Sequence, residues 1–171
     1  MMTVVPVQKL KNICGFCGST YGRTSNFVEA AKDLGRILSE KKIHLMYEGG
    51  DLALMGLVSL AANIGGSQVL GIFPKALAKA NIIGKTNCKE LIVTCMHERL
   101  ITMIKHVDAF IVLPGGLGTL EEIFTIASWA QLSIHQEPIE LLDVNNYYGL
   151  LIIDRLEVYQ PETNLLVYQL D

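Results

Sequence analysis

The sequence predicts an α/β fold of the doubly wound type, in which helices cover both faces of a parallel sheet. Three observations support this prediction. Short apolar runs alternate with longer amphipathic stretches along the chain, which is the rhythm of βαβ units. The apolar runs are nearly continuous, as expected of parallel strands that are buried on both faces. The chain has 171 residues, enough for one sizeable core, so we expect a single domain over residues 1–171.

Six apolar runs predict the strands. In chain order they lie near residues 12–17, 43–47, 68–73, 90–94, 109–113 and 139–142. Helical stretches separate them, and a helix between two parallel strands makes a right-handed crossover. The result is a Rossmann-like arrangement.

Five helices are expected from apolar residues at helical spacing. The first, over about 25–40, has apolar side chains between Phe27 and Leu38 on one face, with Ser25 as its N-cap. The second, over about 54–64, is apolar on most sides and ends at Gly65 and Gly66. The others lie near residues 96–105, 119–132 and 147–158.

Composition excludes several classes of protein. Half of the residues are hydrophobic and 18% are charged, with a mean hydropathy of +0.35, which predicts a homo-oligomer that buries an apolar face. The net charge of −3 provides no basic surface for nucleic acid or an anionic membrane. No apolar stretch reaches the ~20 residues of a membrane-spanning helix, and the first residues do not resemble a secretion signal. We therefore expect a cytoplasmic protein, with the nucleus as a second location.

Cys14 and Cys17 form a C-x-x-C pair, which has two interpretations. Such a pair can serve redox chemistry or supply half of a zinc site. Here it lies in the apolar segment of the first strand, whereas a redox pair normally opens a helix. Buried thiols in a strand are therefore the favoured interpretation.

Four strand-to-helix turns carry glycines or reactive polar groups. They are "CGSTYG" at 17–22, "YEGGDLALMG" at 47–56, "TCMHER" at 94–99 and "LPGGLGTLEE" at 113–122. In a doubly wound sheet these turns lie beyond the carboxyl ends of the strands, where ligands bind. We therefore expect the site at this end of the sheet.

The turn at 113–122 has two interpretations. Its glycines precede a helix, so their N–H groups and the helix N-terminus together favour an anion. It is not a P-loop, because no Gly-Lys-Ser/Thr follows. Alternatively, Thr119 and Glu122 form a capping box, in which Glu122 has only a structural role.

The segment "MHERL" at 96–100 opens another helix. It does not match the H-E-x-x-H pattern of zinc hydrolases. Within this segment Arg99 is the strongest candidate for a functional residue, since a guanidinium suits phosphate and ribose oxygens. The alternative is a solvated first helical turn without a functional role.

Taken in this order, "CGSTYG", "GLVSLAANIGG", "MHER", "DAFIVLPGGLGTLEE" and "WAQLSIHQEPI" resemble the LONELY GUY family. These are cytokinin-activating phosphoribohydrolases, long labelled as lysine decarboxylases. The resemblance covers residues 12–151 and rests on the P-G-G-x-G-T-x-x-E and M-H-E-R motifs.

The resemblance implies a Rossmann-like homodimer that hydrolyses the N-glycosidic bond of a cytokinin riboside 5′-monophosphate, without a metal or redox cofactor. It implies Arg99 and Glu122 as the catalytic pair. Gly115, Gly116, Gly118 and Thr119 would hold the 5′-phosphate. The remaining substrate-binding positions by resemblance are Asn81, Leu100, Leu117, Leu120, Glu121 and Ser128.

This sequence departs from the family at five positions near the site. Two of the changes are Leu117 in place of an aromatic residue and Ser128 in place of threonine. Leu100 stands where the family has lysine, Asn81 where it has glutamate, and Glu48 where it has glycine; we expect Glu48 to crowd the pocket or repel phosphate. The resemblance ends near residue 155, so we expect a divergent or truncated C-terminus. These departures support an alternative function, a relative that binds nucleoside monophosphates with little or no catalysis. An amino-acid decarboxylase and a dinucleotide-dependent oxidoreductase are weaker alternatives, because no pyridoxal lysine and no dinucleotide fingerprint are evident.

Overall fold

A computed structural model describes residues 10–79, 88–149 and 165–170. In these residues seven strands form one sheet, and every pair of neighbouring strands is parallel. The strand order is β4-β3-β2-β1-β5-β6-β7. The strands are β1 (Asn12–Phe16), β2 (His44–Tyr47), β3 (Val69–Pro74), β4 (Lys89–Val93), β5 (Ala109–Val112), β6 (Ile139–Val144) and β7 (Leu165–Leu170).

Helices lie on both faces of this sheet, so the predicted fold class is confirmed. They are α1 (Ser25–Glu40), α2 (Ala53–Ile64), α3 (Lys75–Lys79), α4 (Met96–Ile104) and α5 (Leu117–Gln131). Helices α1 and α2 pack on one face in a core cluster with Ile13 and Cys17. Helices α4 and α5 pack on the other face in a cluster with Cys14 and Phe16. Neighbouring residues of the first strand segment therefore point into different cores, as expected of a strand covered on both sides.

Most predicted elements lie within one or two residues of the observed ones, and the differences have local causes. Ser25 is the first residue of α1 and not its N-cap; the N-cap is Thr24, whose side chain makes no capping hydrogen bond. The short helix α3 was not predicted, because its five residues are too few for a periodic pattern. Strand β7 was not predicted either, and it places part of the divergent C-terminal tail beside β6. The helix expected at 147–158 lies outside the described residues except for its first positions.

Among the described helices none is long and apolar enough to cross a membrane.

Gly35 lets α1 and α2 cross closely. A Cβ atom at this position would lie 2.5 Å from the Val58 carbonyl oxygen and 2.6 Å from the Ala61 Cβ atom. Gly35→Ala should therefore force the helices apart and lower the free energy of unfolding by about 1–3 kcal/mol. Urea denaturation measures the change. Gly118→Ala is the matched control, since a Cβ atom at that helical glycine would meet nothing within 4 Å; equal losses in both variants would contradict the close-crossing explanation.

Candidate active site

The strand order places a crevice between β1 and β5. The helix that follows β1 lies on one face of the sheet and the helix that follows β5 lies on the other. Such a reversal opens a cleft beyond the carboxyl ends of the two strands, where doubly wound proteins bind ligands. The Gly18 N–H donates to the Pro114 carbonyl at 3.0 Å and so joins the two loops at this point. Beside them lies a cavity of about 490 Å³, lined by Gly18, Thr20, Gly22, Arg23, Phe27, Leu54, Pro114, Gly115, Gly116 and Tyr147.

The loop between β5 and α5 forms one wall of this cavity. Gly116 is the N-cap of α5, no side chain makes a capping hydrogen bond there, and the first turn of the helix contains no acidic residue. Two tyrosine hydroxyls hold the loop in place: Tyr147 donates to the Gly115 carbonyl at 2.7 Å and Tyr148 to the Leu113 carbonyl at 2.6 Å. The helix N-terminus therefore faces the cavity side of the loop with its positive end uncapped by any side chain.

The loop leaves no space for a side chain at Gly115. A Cβ atom there would lie 2.1 Å from the Thr119 Oγ1 atom, so only glycine lets the loop fold back onto the first turn of α5. A Cβ atom at Gly116 or Gly118 would meet nothing within 4 Å. The packing of the protein itself therefore does not explain these two glycines, and close approach of a ligand would explain them.

The capping-box interpretation of Thr119 and Glu122 is wrong. Helix α5 begins at Leu117, two residues before Thr119, so Thr119 lies inside the first turn and Gly116 is the N-cap. Glu122 is 1% exposed and its carboxylate bonds to Arg99 instead of to a backbone N–H at the helix start. Glu122 therefore forms a buried ion pair with Arg99, which joins α5 to α4.

Arg99 brings two carboxylates together. Its Nη2 atom donates to Glu122 Oε1 at 2.5 Å, and its Nη1 atom lies 3.2 Å from Glu48 Oε1. Arg99 is 4% exposed, which rules out the solvated-turn interpretation for this residue, although His97 and Glu98 of the same turn are exposed. The Arg99 Nε atom and the Glu122 Oε2 atom are buried and have no hydrogen-bond partner in the described structure. The guanidinium thus holds carboxylates, and we name the cluster of Glu48, Arg99 and Glu122 the acid–arginine cluster.

Glu48 completes this cluster through its contact with Arg99. Its expected effect on phosphate binding stays a prediction. Glu48 follows β2, and Gly49 and Gly50 after it have φ angles of +80° and +93°. That backbone turn carries the Glu48 side chain toward α4. The position of Glu48 at the carboxyl end of a strand indicated that it lies near the site. The spacing in the sequence did not show that Arg99 on α4 is its partner.

Burial raises the pKa of Glu122, and the negative charge of Glu48 raises it further, while Arg99 acts in the opposite direction. The side chain therefore binds its proton more tightly in the folded protein than in the unfolded chain, where a glutamate has a pKa of about 4.3.

This shift makes stability depend on pH. The folded state holds more protons than the unfolded state above pH ~5, so the free energy of unfolding should fall as pH rises, by at most ~1.4 kcal/mol per pH unit for one proton. Glu122→Gln removes this titration, and the variant should gain stability relative to wild type between about pH 5 and pH 8. Urea denaturation of both proteins across this range measures the difference. A difference that does not change with pH would contradict the raised pKa.

The other positions taken from the resemblance are spread over the two sides of α5 and the start of α4. Leu100 is buried in the core cluster with Met103, so its side chain points away from solvent. Leu117 is 86% exposed, and Leu120 is partly buried against the core. Glu121 and Ser128 are exposed, and the Ser128 hydroxyl donates to the Thr125 carbonyl. Asn81 lies outside the described residues.

Arg23 is a cavity residue that the sequence reading missed. It lies in the turn between β1 and α1 and lines the cavity together with Gly115 and Gly116. Its side chain is exposed, and no ion pair holds it within the described parts of the chain. A lone arginine just after "CGSTYG" was the available signal.

Cys14 and Cys17 are buried, which confirms the favoured interpretation of the C-x-x-C pair. Burial raises the pKa of both thiols well above its usual range, so neither is activated as a thiolate. In residues 10–79, 88–149 and 165–170 no group of three or more His, Cys, Asp or Glu side chains is placed to hold a metal ion.

This chain is similar to one protein family and to its plant members. Residues 55–157 match the family described as "Possible lysine decarboxylase". The cytokinin riboside 5′-monophosphate phosphoribohydrolase LOG3 of Arabidopsis thaliana is 49% identical over 144 residues, which cover 84% of this chain and 67% of that protein. The probable enzyme LOG6 of the same plant is 46% identical over 152 residues, covering 89% of this chain and 76% of that one.

Solved structures show the same fold at low identity. The molybdenum cofactor binding protein of Rippkaea orientalis superposes with a TM-score of 0.68 at 19% identity, covering 92% of this chain and 88% of that one. The Moco carrier protein of Chlamydomonas reinhardtii gives a TM-score of 0.65 at 15% identity, with the same coverage. At such identities the likeness concerns the fold alone.

Proposed function

Because this chain belongs to the LONELY GUY family of cytokinin riboside 5′-monophosphate phosphoribohydrolases, we propose that it hydrolyses the N-glycosidic bond of such a nucleotide. The products are the free cytokinin base and ribose 5-phosphate. The observation that carries this proposal is the buried acid–arginine cluster. Its Glu122 lies in α5, the helix that follows the glycine-rich loop.

In this proposal the 5′-phosphate binds at the N-terminus of α5. The backbone N–H groups of the loop and the positive end of the helix favour an anion there. Gly115, Gly116, Gly118 and Thr119 form this cradle, and Leu117, Leu120 and Glu121 of the same turn contribute backbone to it. Asn81, Leu100 and Ser128 remain as substrate positions by resemblance alone.

Arg23 adds a charge to the cradle. Its side chain lines the same cavity as Gly115 and Gly116, from the loop on the opposite side. A guanidinium without an acidic partner suits a phosphate, which accepts two parallel hydrogen bonds from it.

Glu122 and Arg99 are the proposed catalytic pair. Cleavage of the bond between C1′ and the base builds positive charge on the ribose, and a preorganised carboxylate lowers the energy of that charge. The same carboxylate can orient the attacking water. Arg99 positions the Glu122 carboxylate, since one of its nitrogens lies 2.5 Å from it.

The phosphate role of Arg23 is tested by Arg23→Gln. This variant should raise KM for the nucleotide about 10-fold with little change in kcat, because the contact is equally strong in the ground state and the transition state. Arg36→Gln is the matched control, since Arg36 is exposed and paired with Asp33 and Glu40 on α1. An unchanged KM in Arg23→Gln would remove Arg23 from the site.

The assembly and location are also proposals. Leu117 and Phe124 lie two turns apart on α5 and are both exposed, and Leu132 and Ile134 beyond the helix are exposed as well. An apolar surface of this kind supports a homodimer. We propose one domain over residues 1–171 and a location in the cytoplasm, with the nucleus as a second location. Neither a nucleic acid nor a membrane is a proposed partner.

A further inference from the structure

The function proposed above gives Glu48 no role, although Glu48 shares the guanidinium of Arg99 with Glu122. The two carboxyl groups come from different elements, since Glu48 follows β2 and Glu122 lies in α5. They reach adjacent nitrogens of one guanidinium, at 3.2 Å and 2.5 Å. Because Nη1 and Nη2 belong to one guanidinium, both carboxyls face the same end of the Arg99 side chain.

The charges of this cluster do not balance when both carboxyls are ionised. Two carboxylates and one guanidinium leave one negative charge in a site where Arg99 and Glu122 are almost fully buried. A buried charge without a partner is costly, and two neighbouring carboxylates repel each other. One proton held between the two carboxyls makes the cluster neutral.

An orphaned atom supports the same conclusion. Glu122 Oε2 is buried and has no hydrogen-bond partner among the described residues. A proton shared with the Glu48 carboxyl would supply the missing hydrogen bond, because a protonated carboxyl is a donor.

The titration of the cluster agrees with this arrangement. After burial, the largest cause of the raised pKa of Glu122 is the charge of Glu48. The other groups that act on the pair are Arg99 from α4, the neighbouring carboxylate of Glu121 on α5, and the thiols of Cys14 and Cys17 on the β1 side. The charge of Glu121 acts in the same direction as that of Glu48. Burial raises the pKa of both thiols, so they stay neutral and add no charge beside the carboxyl pair.

We propose that Glu48 and Glu122, which both contact Arg99, form a carboxyl pair that shares one proton. We further propose that Glu48 gives this proton to the leaving base. Glu48 is the donor because its side chain is 15% exposed, whereas that of Glu122 is 1% exposed. The donor half of this proposal rests on the proposed hydrolysis. The pair then resembles the two carboxyls of glycoside hydrolases, in which one acts as acid and the other as carboxylate.

The reaction balances with one proton on the pair before and after. The bond between C1′ and the base breaks, and its electron pair goes to the base nitrogen. The Glu48 O–H supplies a proton to a ring nitrogen of the base, so the base leaves neutral. Water adds its oxygen to C1′ and gives a proton to the carboxylate of the pair, which restores the starting state.

The shared proton can be observed without any assay of activity. Infrared spectroscopy of the whole protein at pH 7 should show the C=O stretching band of a protonated carboxyl group. This band should shift or disappear in Glu48→Gln and in Glu122→Gln, and persist in Glu29→Gln, whose carboxylate is exposed on α1. If neither site variant alters a protonated-carboxyl band at pH 7, the one-proton pair is wrong.

The donor role is tested by kinetics. In wild type kcat should fall at high pH as the pair loses its proton. Glu48→Gln should lower kcat by about 10²-fold or more and abolish this alkaline decline, with KM changed by less than about 3-fold. Glu48→Asp should keep the alkaline decline and recover part of the rate.

Two results would overturn the donor role. One is a Glu48→Gln protein with wild-type kcat. The other is a variant of lowered kcat that keeps the wild-type pH profile, since that outcome indicates a structural effect. If wild type releases no base at all, the proposed hydrolysis fails and the donor role with it, whereas the infrared band decides separately whether the pair holds its proton.

Discussion

Glu122→Gln should lower the rate of base release by at least ~10²-fold while leaving the protein folded. Glutamine keeps the size of the side chain, but it can neither carry the negative charge that faces the ribose cation nor accept a proton from water. Removal of one preorganised electrostatic group typically costs about 10²–10³ in kcat. Because Glu122 lies in the core beside Ile123, an isosteric change is preferable to alanine.

The measurement is steady-state release of free base by chromatography, with thermal unfolding of the same preparation. Glu29→Gln on α1 is the control and should keep the wild-type rate, since its carboxylate is exposed and pairs only with Lys32 in the described structure. A Glu122→Gln protein with a rate within about 3-fold of wild type would show that this carboxylate has no part in the chemistry.

Arg99→Met should destabilise the protein by about 3–5 kcal/mol near pH 8, the largest loss of stability that we expect from a single change at the site. Methionine fills much of the volume but leaves the Glu48 and Glu122 carboxyls facing each other without their cation. The cost is the repulsion and poor solvation of buried carboxylates.

The pH dependence identifies the cause of this loss. At pH ~5 both carboxyls can be protonated, so much of the lost stability should return in Arg99→Met. Urea denaturation at the two pH values measures it, with Arg36→Met as control. Arg36 is exposed and paired on the surface of α1, so its removal should change stability little and equally at the two pH values. A pH-independent loss in Arg99→Met would mean that packing, and not the carboxyl pair, accounts for the effect.

The fold was predictable because its signals are local. Continuous apolar runs predicted β1 to β6 and helical spacing predicted α1, α2, α4 and α5, all with small errors at the ends. Strand β7 was missed because residues 165–170 read as part of a tail without family resemblance. Its position depends on pairing with β6, a contact distant in sequence.

The site was predictable in part. The motif around Gly115 and the position of Arg99 each marked the correct end of the sheet, since glycines and charged groups at strand ends are local signals. The bond between Arg99 and Glu122 joins residues 23 positions apart. The contact with Glu48 spans four described elements, α2, β3, α3 and β4. Nothing in the spacing of these residues shows that all three meet in one buried cluster.

The helix start at Leu117 was the other unpredictable feature. A two-residue shift of this boundary decides whether Glu122 caps the helix or faces α4, and helix boundaries are the least certain part of any reading from sequence. Three-dimensional packing decided between the two interpretations.

The most direct measurement is the product analysis of the wild-type protein with isopentenyladenine riboside 5′-monophosphate, beside the unphosphorylated riboside and AMP. We expect free base and ribose 5-phosphate in equal amounts from the cytokinin nucleotide, and little or no base from the riboside, which lacks the group that the α5 N-terminus and Arg23 would hold. A folded protein that binds the nucleotide but releases no base would contradict the proposed hydrolysis and would identify the chain as a nucleotide-binding relative.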